Sequence, residues 1–139
     1  IEMLNTSLMV KSADESFATL DVCRINLVSG EISLYKAGSA STFVRCGREF
    51  AELSGDGIPL GVEFEAEYGE KRFTAAAGDI IIMASDGAEI DKKWLKNIVM
   101  RDKNADLGTI IDTIGEALRL DAEKGNEDDI TVIGVKIVK

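Results

Sequence analysis

Residues 79–87 read DIIIMASDG, and this stretch is the most informative about the fold class. Five consecutive apolar residues are typical of a strand buried on both faces, and the Ser-Asp-Gly that ends the run is typical of a tight turn. A second apolar strand is predicted at 130–138, where residues 126–137 read NEDDITVIGVKI. Each strand therefore has an acidic residue beside one end: Asp86 follows the first, and Asp128 and Asp129 precede the last.

The two acidic ends converge if the strands are antiparallel neighbours, because the end of one then lies beside the start of the other. Asp86 and Asp128 would repel each other at close range unless a proton or a cation lay between them. Ligand sets made only of oxygen favour Mg²⁺ or Mn²⁺ over zinc, and Gly87 is expected to permit the turn that points Asp86 outward. An ordinary Asp-Gly turn and a solvated acidic loop explain the same residues, and the spacing alone favours that plainer interpretation.

The rest of the chain predicts further antiparallel strands and two helices. Apolar residues on both faces of 17–27 indicate a central strand, and glycine turns predict two hairpins followed by a meander. Helical periodicity after Asp86 predicts two helices. Asn104 or Asp106 is the expected cap of the second helix, and Gly125 is expected to close it. The predicted ranges are hairpins 17–27 with 32–36 and 42–46 with 49–53, strands 63–68 and 71–75, and helices 92–100 and 107–120.

Composition limits the classes of function. The 139 residues are enough for one domain with its own core, and a net charge of −9 disfavours nucleic acid and anionic lipid as partners. No histidine is present, which excludes histidine-based triads and His-rich zinc sites within this chain. Two cysteines, Cys23 and Cys46, with no apolar run of membrane-spanning length, predict reduced thiols and a cytoplasmic location.

Two groups of motifs resemble a known family. DIIIMASDG and NEDDITVIGVKI look like the two C-terminal motifs of the PPM-type, metal-dependent serine/threonine phosphatases. FATLDVCRINLVSGEISLYKAGSASTFVRCG at 17–47, followed by GIPLG at 57–61, is similar to their bacterial branch, typified by stage II sporulation protein E and the stress-response phosphatases. The resemblance covers essentially the whole chain in the correct order, and it reverses the preference for plain turns.

The resemblance implies an α/β (α+β) sandwich of antiparallel sheets flanked by helices, with a dinuclear Mn²⁺ or Mg²⁺ centre. Asp86 and Asp128 match two metal-binding aspartates of the family, while Asp129 and Gly87 are expected to support them without binding the metal. No catalytic residue beyond the metal ligands is expected, because a water activated by the cations attacks the phosphoryl group. The implied function is a protein serine/threonine phosphatase in bacterial signalling, whose phosphoprotein substrate is an anti-sigma-factor antagonist that controls sporulation or stress sigma factors.

The chain starts with a helical pattern at Ile1 that has no capping residue, so residues 1–139 are interpreted as the C-terminal part of a PPM-type domain. The remaining metal ligands would then lie upstream, and we expect the 139 residues alone to be inactive. A degenerate fold that binds a phosphoprotein without hydrolysing it is the alternative, and a plain structural domain is a third interpretation. No nucleic acid and no direct membrane contact are expected, while a homodimer and a membrane tether on the parent protein stay open.

Three lysines after the Asp86 loop form a local basic cluster, Lys92, Lys93 and Lys96. Such a cluster could steer an anionic phosphoprotein, but a solvated helix face is the commoner outcome.

Overall fold

A computed structural model of the chain describes residues 1–11, 17–55, 57–88, 90–101, 106–122 and 129–138. They form two compact units that alternate along the chain: residues 1–39 with 54–74, and residues 40–53 with 75–139. The elements in chain order are α1 (Glu2–Lys11), β1 (Leu20–Ile25), β2 (Glu31–Ala37), β3 (Thr42–Cys46), β4 (Glu49–Leu53), β5 (Gly69–Thr74), β6 (Ile80–Ala84), α2 (Lys92–Arg101), α3 (Leu107–Ala122) and β7 (Val132–Lys136).

The first unit contains α1 and a three-stranded antiparallel sheet in the order β1-β2-β5. Its central strand β2 is almost wholly buried, and Ile32 and Leu34 are completely inaccessible to solvent. The Asn5 side chain of α1 donates to the backbone oxygen of Glu63 at 2.7 Å and accepts from the backbone N–H of Gly61 at 2.7 Å. These two bonds attach the helix to the loop before β5.

A buried ion pair joins β1 to β2. Asp21 and Lys36 are register partners across the two strands, and the Lys36 ammonium donates to the Asp21 carboxylate at 2.5 Å. Lys36 is only 1% exposed, so its charge requires a close anion. This pairing gives Asp21 a role in holding the first unit together.

The second unit is built on a four-stranded antiparallel sheet in the order β4-β3-β6-β7. Strand β6 lies between β3 and β7, and Ile80, Ile81 and Ile82 are all at least 99% buried. This burial explains the uninterrupted apolar run, because both faces of the strand are covered. The β3–β4 hairpin has the bounds predicted from the sequence.

Helices α2 and α3 bury their apolar stripes in the core of this second unit. The most buried of these side chains are Leu95, Val99, Ile110 and Ile114, each no more than 2% exposed. Asp91 accepts from the backbone N–H of Trp94 at 2.7 Å and Asp106 from that of Thr109 at 3.1 Å, so each helix has an aspartate cap. The alternative cap Asn104 and the predicted closing residue Gly125 lie outside the described residues.

Three predictions about the strands are wrong. Within the described residues β1 lies at an edge of its sheet, and its exposure alternates because one face is open. Residues 63–68 do not form a strand, since their backbone is used in a turn and in bonds to Asn5. The topology is not a simple meander, because β2 pairs with β5 and β3 with β6 across intervening segments.

Among the residues that the structure describes, no helix is both long enough and apolar enough to cross a membrane.

Candidate metal centre

The end of β6 lies beside the start of β7. The two strands pair antiparallel with Ala84 opposite Val132, and the Ser85 backbone N–H continues the ladder by donating to the Thr131 carbonyl at 2.9 Å. This confirms that the two apolar strands are antiparallel neighbours. The turn that contains Asp86 therefore lies at the same sheet edge as the segment leading into β7.

Ser85 ties the two strand ends together with its side chain as well. Its hydroxyl accepts from the Thr131 backbone N–H at 2.9 Å and donates to the Asp129 carbonyl at 3.3 Å. With the backbone bond, three hydrogen bonds connect this one residue to positions 129 and 131. The sequence analysis treats Ser85 only as part of a turn. The signal that could have revealed its role is a hydroxyl placed directly after a buried apolar run.

Asp86 lies in the tight turn that follows. The Ala88 backbone N–H donates to the Ser85 carbonyl at 3.0 Å and closes the turn, and the Asp86 side chain is exposed. Gly87 is buried and its φ angle is not positive. The backbone angle is therefore one that other residues also adopt, and the position is instead a buried one without a side chain.

The second acidic group is described only in part. Asp129 is exposed, and Ser85 binds its carbonyl oxygen. Asp128, the second predicted metal ligand, lies outside the described residues. The closeness of the Asp86 and Asp128 side chains therefore stays a prediction, while the pairing of the strands that flank them is established.

The donors described at this edge match a hard cation in kind. The side chains of Asp86 and Asp129 and the backbone carbonyls offer oxygen only, which suits Mn²⁺ or Mg²⁺ better than zinc. In number they fall short: among the residues with described positions, no three His, Cys, Asp or Glu side chains group into a metal site. A tight site would need acidic ligands in addition to these.

Comparison with known proteins identifies the family. A sequence profile described as stage II sporulation protein E (SpoIIE) matches residues 1–138. The chain belongs to this family. A curated relative, stage II sporulation protein E of Bacillus subtilis strain 168, is 30% identical over an alignment of 146 positions that covers 99% of this chain and 17% of the relative. The chain thus spans about a sixth of that relative's length.

Solved structures support the fold assignment. The manganese-presoaked phosphatase domain of the cell fate determinant SpoIIE from Bacillus subtilis matches with a TM-score of 0.74 and 27% identity, over 99% of this chain and 65% of that one. The catalytic domain of the serine/threonine phosphatase PstP, solved with two manganese ions, matches with a TM-score of 0.73 over 99% and 66%. At 14% identity the second likeness shows the fold alone. The PPM-type fold with helices and antiparallel sheets, expected from the sequence, is confirmed.

Proposed function

We propose that the full-length protein carrying this chain is a metal-dependent protein serine/threonine phosphatase, and that residues 1–139 are the C-terminal part of its PPM-type domain. One observation carries the proposal: in a member of this family, β6 and β7 pair so that the Asp86 turn lies at the same sheet edge as Asp129, which precedes β7. A plain turn would not require an acidic residue at both of these paired strand ends.

Asp86 and Asp128 are the residues proposed to hold a divalent cation, either Mn²⁺ or Mg²⁺. Asp129 lies beside them in the chain, and Ser85 fixes its carbonyl, so we assign Asp129 and Gly87 to positioning the ligands. When bound, the cations would supply a water of lowered pKa and neutralise charge on the phosphoryl oxygens. No covalent intermediate on the protein is needed.

The proposed substrate is a phosphoserine or phosphothreonine of a cytoplasmic signalling protein, such as an anti-sigma-factor antagonist. Support comes from the family, one member of which is described as a cell fate determinant. Cys23 and Cys46 are both free thiols, which suits a reducing compartment.

The 139 residues by themselves are proposed to bind the cation weakly and to be inactive. Affinity for hard cations rises with the number of charged ligands, and Asp86 and Asp128 supply only two carboxylates. Titration of Mn²⁺ into the isolated chain, followed by calorimetry, should give a dissociation constant in the millimolar range, comparable with the weakest oxygen-ligand sites. Micromolar binding would contradict this proposal.

The decisive experiment measures Mn²⁺-dependent hydrolysis of p-nitrophenyl phosphate and of a phosphoserine peptide by the full-length protein. Asp86→Asn and Asp128→Asn should each lower turnover by about 100-fold or more, since even changes behind metal ligands cost 10- to 100-fold. Asp112→Asn is the matched control, because Asp112 is an exposed aspartate on α3. Unchanged turnover in both site variants would overturn the assignment, and peptide binding by the wild type without turnover would favour a phosphoprotein-binding module.

A further inference from the structure

Helix α2 has a charge opposite to that of the chain around it. Its ten residues, KKWLKNIVMR, include four basic side chains and no acidic one. The whole chain has 16 basic and 25 acidic residues, so the remainder keeps twelve basic against the same twenty-five acidic. Helix α2 is therefore a locally positive element in a chain whose net charge is −9.

Two of the four basic residues occupy the end of α2 where a cation helps the helix least, while Arg101 lies in the last turn, where it is favourable. Lys92 and Lys93 lie in the first turn, where the helix dipole favours acidic side chains and disfavours cations. Lys92 is compensated by Glu52 of β4, with 3.1 Å between ammonium and carboxylate. For the exposed Lys93 and Lys96, the described residues offer no ion pair within 4 Å. The helix dipole therefore does not favour Lys93, and among the described residues no ion pair accounts for either lysine.

The opposite face of α2 is firmly held. Leu95 and Val99 are no more than 1% exposed and pack in the core. The buried guanidinium of Arg45 on β3 donates to the Val99 carbonyl at 2.7 Å, which satisfies an acceptor near the C-terminal end of the helix. The lysines therefore extend from a fixed platform, and a ligand would not have to order the helix first.

Helix α2 also follows the Asp86 turn closely along the chain. Lys93 follows Asp86 by seven residues, so their Cα atoms are at most roughly 25 Å apart. The actual distance is shorter than this limit, because the backbone N–H of Ala88 donates to the Ser85 carbonyl and that of Ile90 donates to the Ala88 carbonyl. An extended peptide covers roughly 25 Å in seven or eight residues.

We propose that Lys93 and Lys96, the lysine face of α2, bind an acidic segment of the protein substrate that flanks its phosphorylated residue. This inference rests on the proposed phosphatase function and adds the substrate's chemistry to it. Charge complementarity selects the occupant: two uncompensated lysines attract carboxylates, while the net charge of −9 repels long polyanions such as nucleic acid. Acidic residues within about eight positions of the phosphoserine would reach the lysine face.

The test uses the full-length protein and two synthetic phosphoserine peptides. One peptide has four Asp or Glu residues three to eight positions from the phosphoserine, and the other has Asn or Gln at the same places. Two exposed ion pairs should make the wild type prefer the acidic peptide by about 2- to 30-fold in kcat/KM, mainly through KM. The preference should fall in 0.5 M NaCl because salt screens exposed charges.

Charge-reversal variants locate the effect. Lys93→Glu with Lys96→Glu should abolish or invert the preference, while Arg24→Glu with Arg48→Glu, which reverses two exposed arginines elsewhere, should keep it. A wild type that treats both peptides alike, or a preference that survives in the lysine variant, would overturn the proposal. Peptide binding measured by fluorescence anisotropy separates the lysine-face proposal from the proposed phosphatase function. Preferential binding of the acidic peptide without turnover would support the lysine face and reject the phosphatase function.

Discussion

The two ends of strand β6 each have an aspartate, and the fold uses them differently. Asp79 precedes the strand and is 5% exposed. Its carboxylate accepts from the backbone N–H groups of Gly47 and Ala76, each at 2.8 Å. Asp86 follows the strand in an exposed turn whose closing bond is made by the backbone. Asp79 therefore stabilises the fold, whereas the side chain of Asp86 is exposed at the end of the strand.

The difference shows why an acidic residue beside an apolar run is ambiguous in a sequence. Asp79 and Asp86 border the same five residues and look equivalent there. The two backbone donors that bind Asp79 come from the β3–β4 turn and from the turn before β6, and only the folded chain brings both to it. A carboxylate whose bonds are satisfied by the fold has little capacity left for a cation, so Asp86 is the better candidate of the two.

The largest expected effect is on stability at the buried end. Asp79→Ala removes the acceptor of two backbone N–H groups, and an unsatisfied buried donor costs about 1–3 kcal/mol, so we expect a loss of about 2–5 kcal/mol in the free energy of unfolding. Asp86→Ala should change it by less than about 0.5 kcal/mol, as surface substitutions usually do. Urea unfolding of both variants measures the contrast. Equal losses would show that Asp86 also serves the scaffold.

A smaller effect is expected at Ser85, at the other end of β6. Ser85→Ala removes the hydroxyl bonds to Thr131 and Asp129, so the proposed ligands would lose part of their support. We expect the Mn²⁺ concentration for half-maximal turnover of the full-length protein to rise about tenfold, the lower end for residues behind a metal site.

Ser85→Thr is the control for this prediction because it keeps the hydroxyl. Turnover with Mn²⁺ should return to the wild-type range in the threonine variant while the alanine variant stays impaired. A purely structural role for Ser85 would lower the free energy of unfolding in the alanine variant and leave the Mn²⁺ dependence of the folded protein where it was.

How much the sequence predicts depends on whether the signal is local. The β3–β4 hairpin and the stripe of α3 were predicted because a turn or a helical period lies within a few residues. The pairing of β2 with β5 was missed because 31 residues separate the two strands. The β3–β4 hairpin lies between them, and nothing in its sequence indicates that the strands before and after it pair with each other. The β6–β7 pairing was predicted only conditionally, through the acidic residues at their ends. Asp86 was thus proposed from its chemistry, while the hydrogen bonds made by Ser85 needed coordinates.

The smallest expected effect is on the pKa of the Cys46 thiol, which lies near Asp79 and should respond to Asp79 but not to Asp86. Burial raises the pKa of Cys46, and the charge of Asp79 and its hydrogen bond to the thiol raise that pKa further. The Cys46 thiol therefore ionises at lower pH in the unfolded chain than in the folded one. Its contribution to the free energy of unfolding is complete below the unfolded pKa and is lost as pH rises through the folded pKa.

Asp79→Asn should lower the pKa of Cys46, seen as a shift to lower pH in the rate of alkylation by iodoacetamide, and Asp86→Asn should not. Cys23, whose pKa is raised by burial and by Asp21, is the internal control. An unchanged Cys46 profile in Asp79→Asn would mean that burial and Glu49 raise its pKa without Asp79.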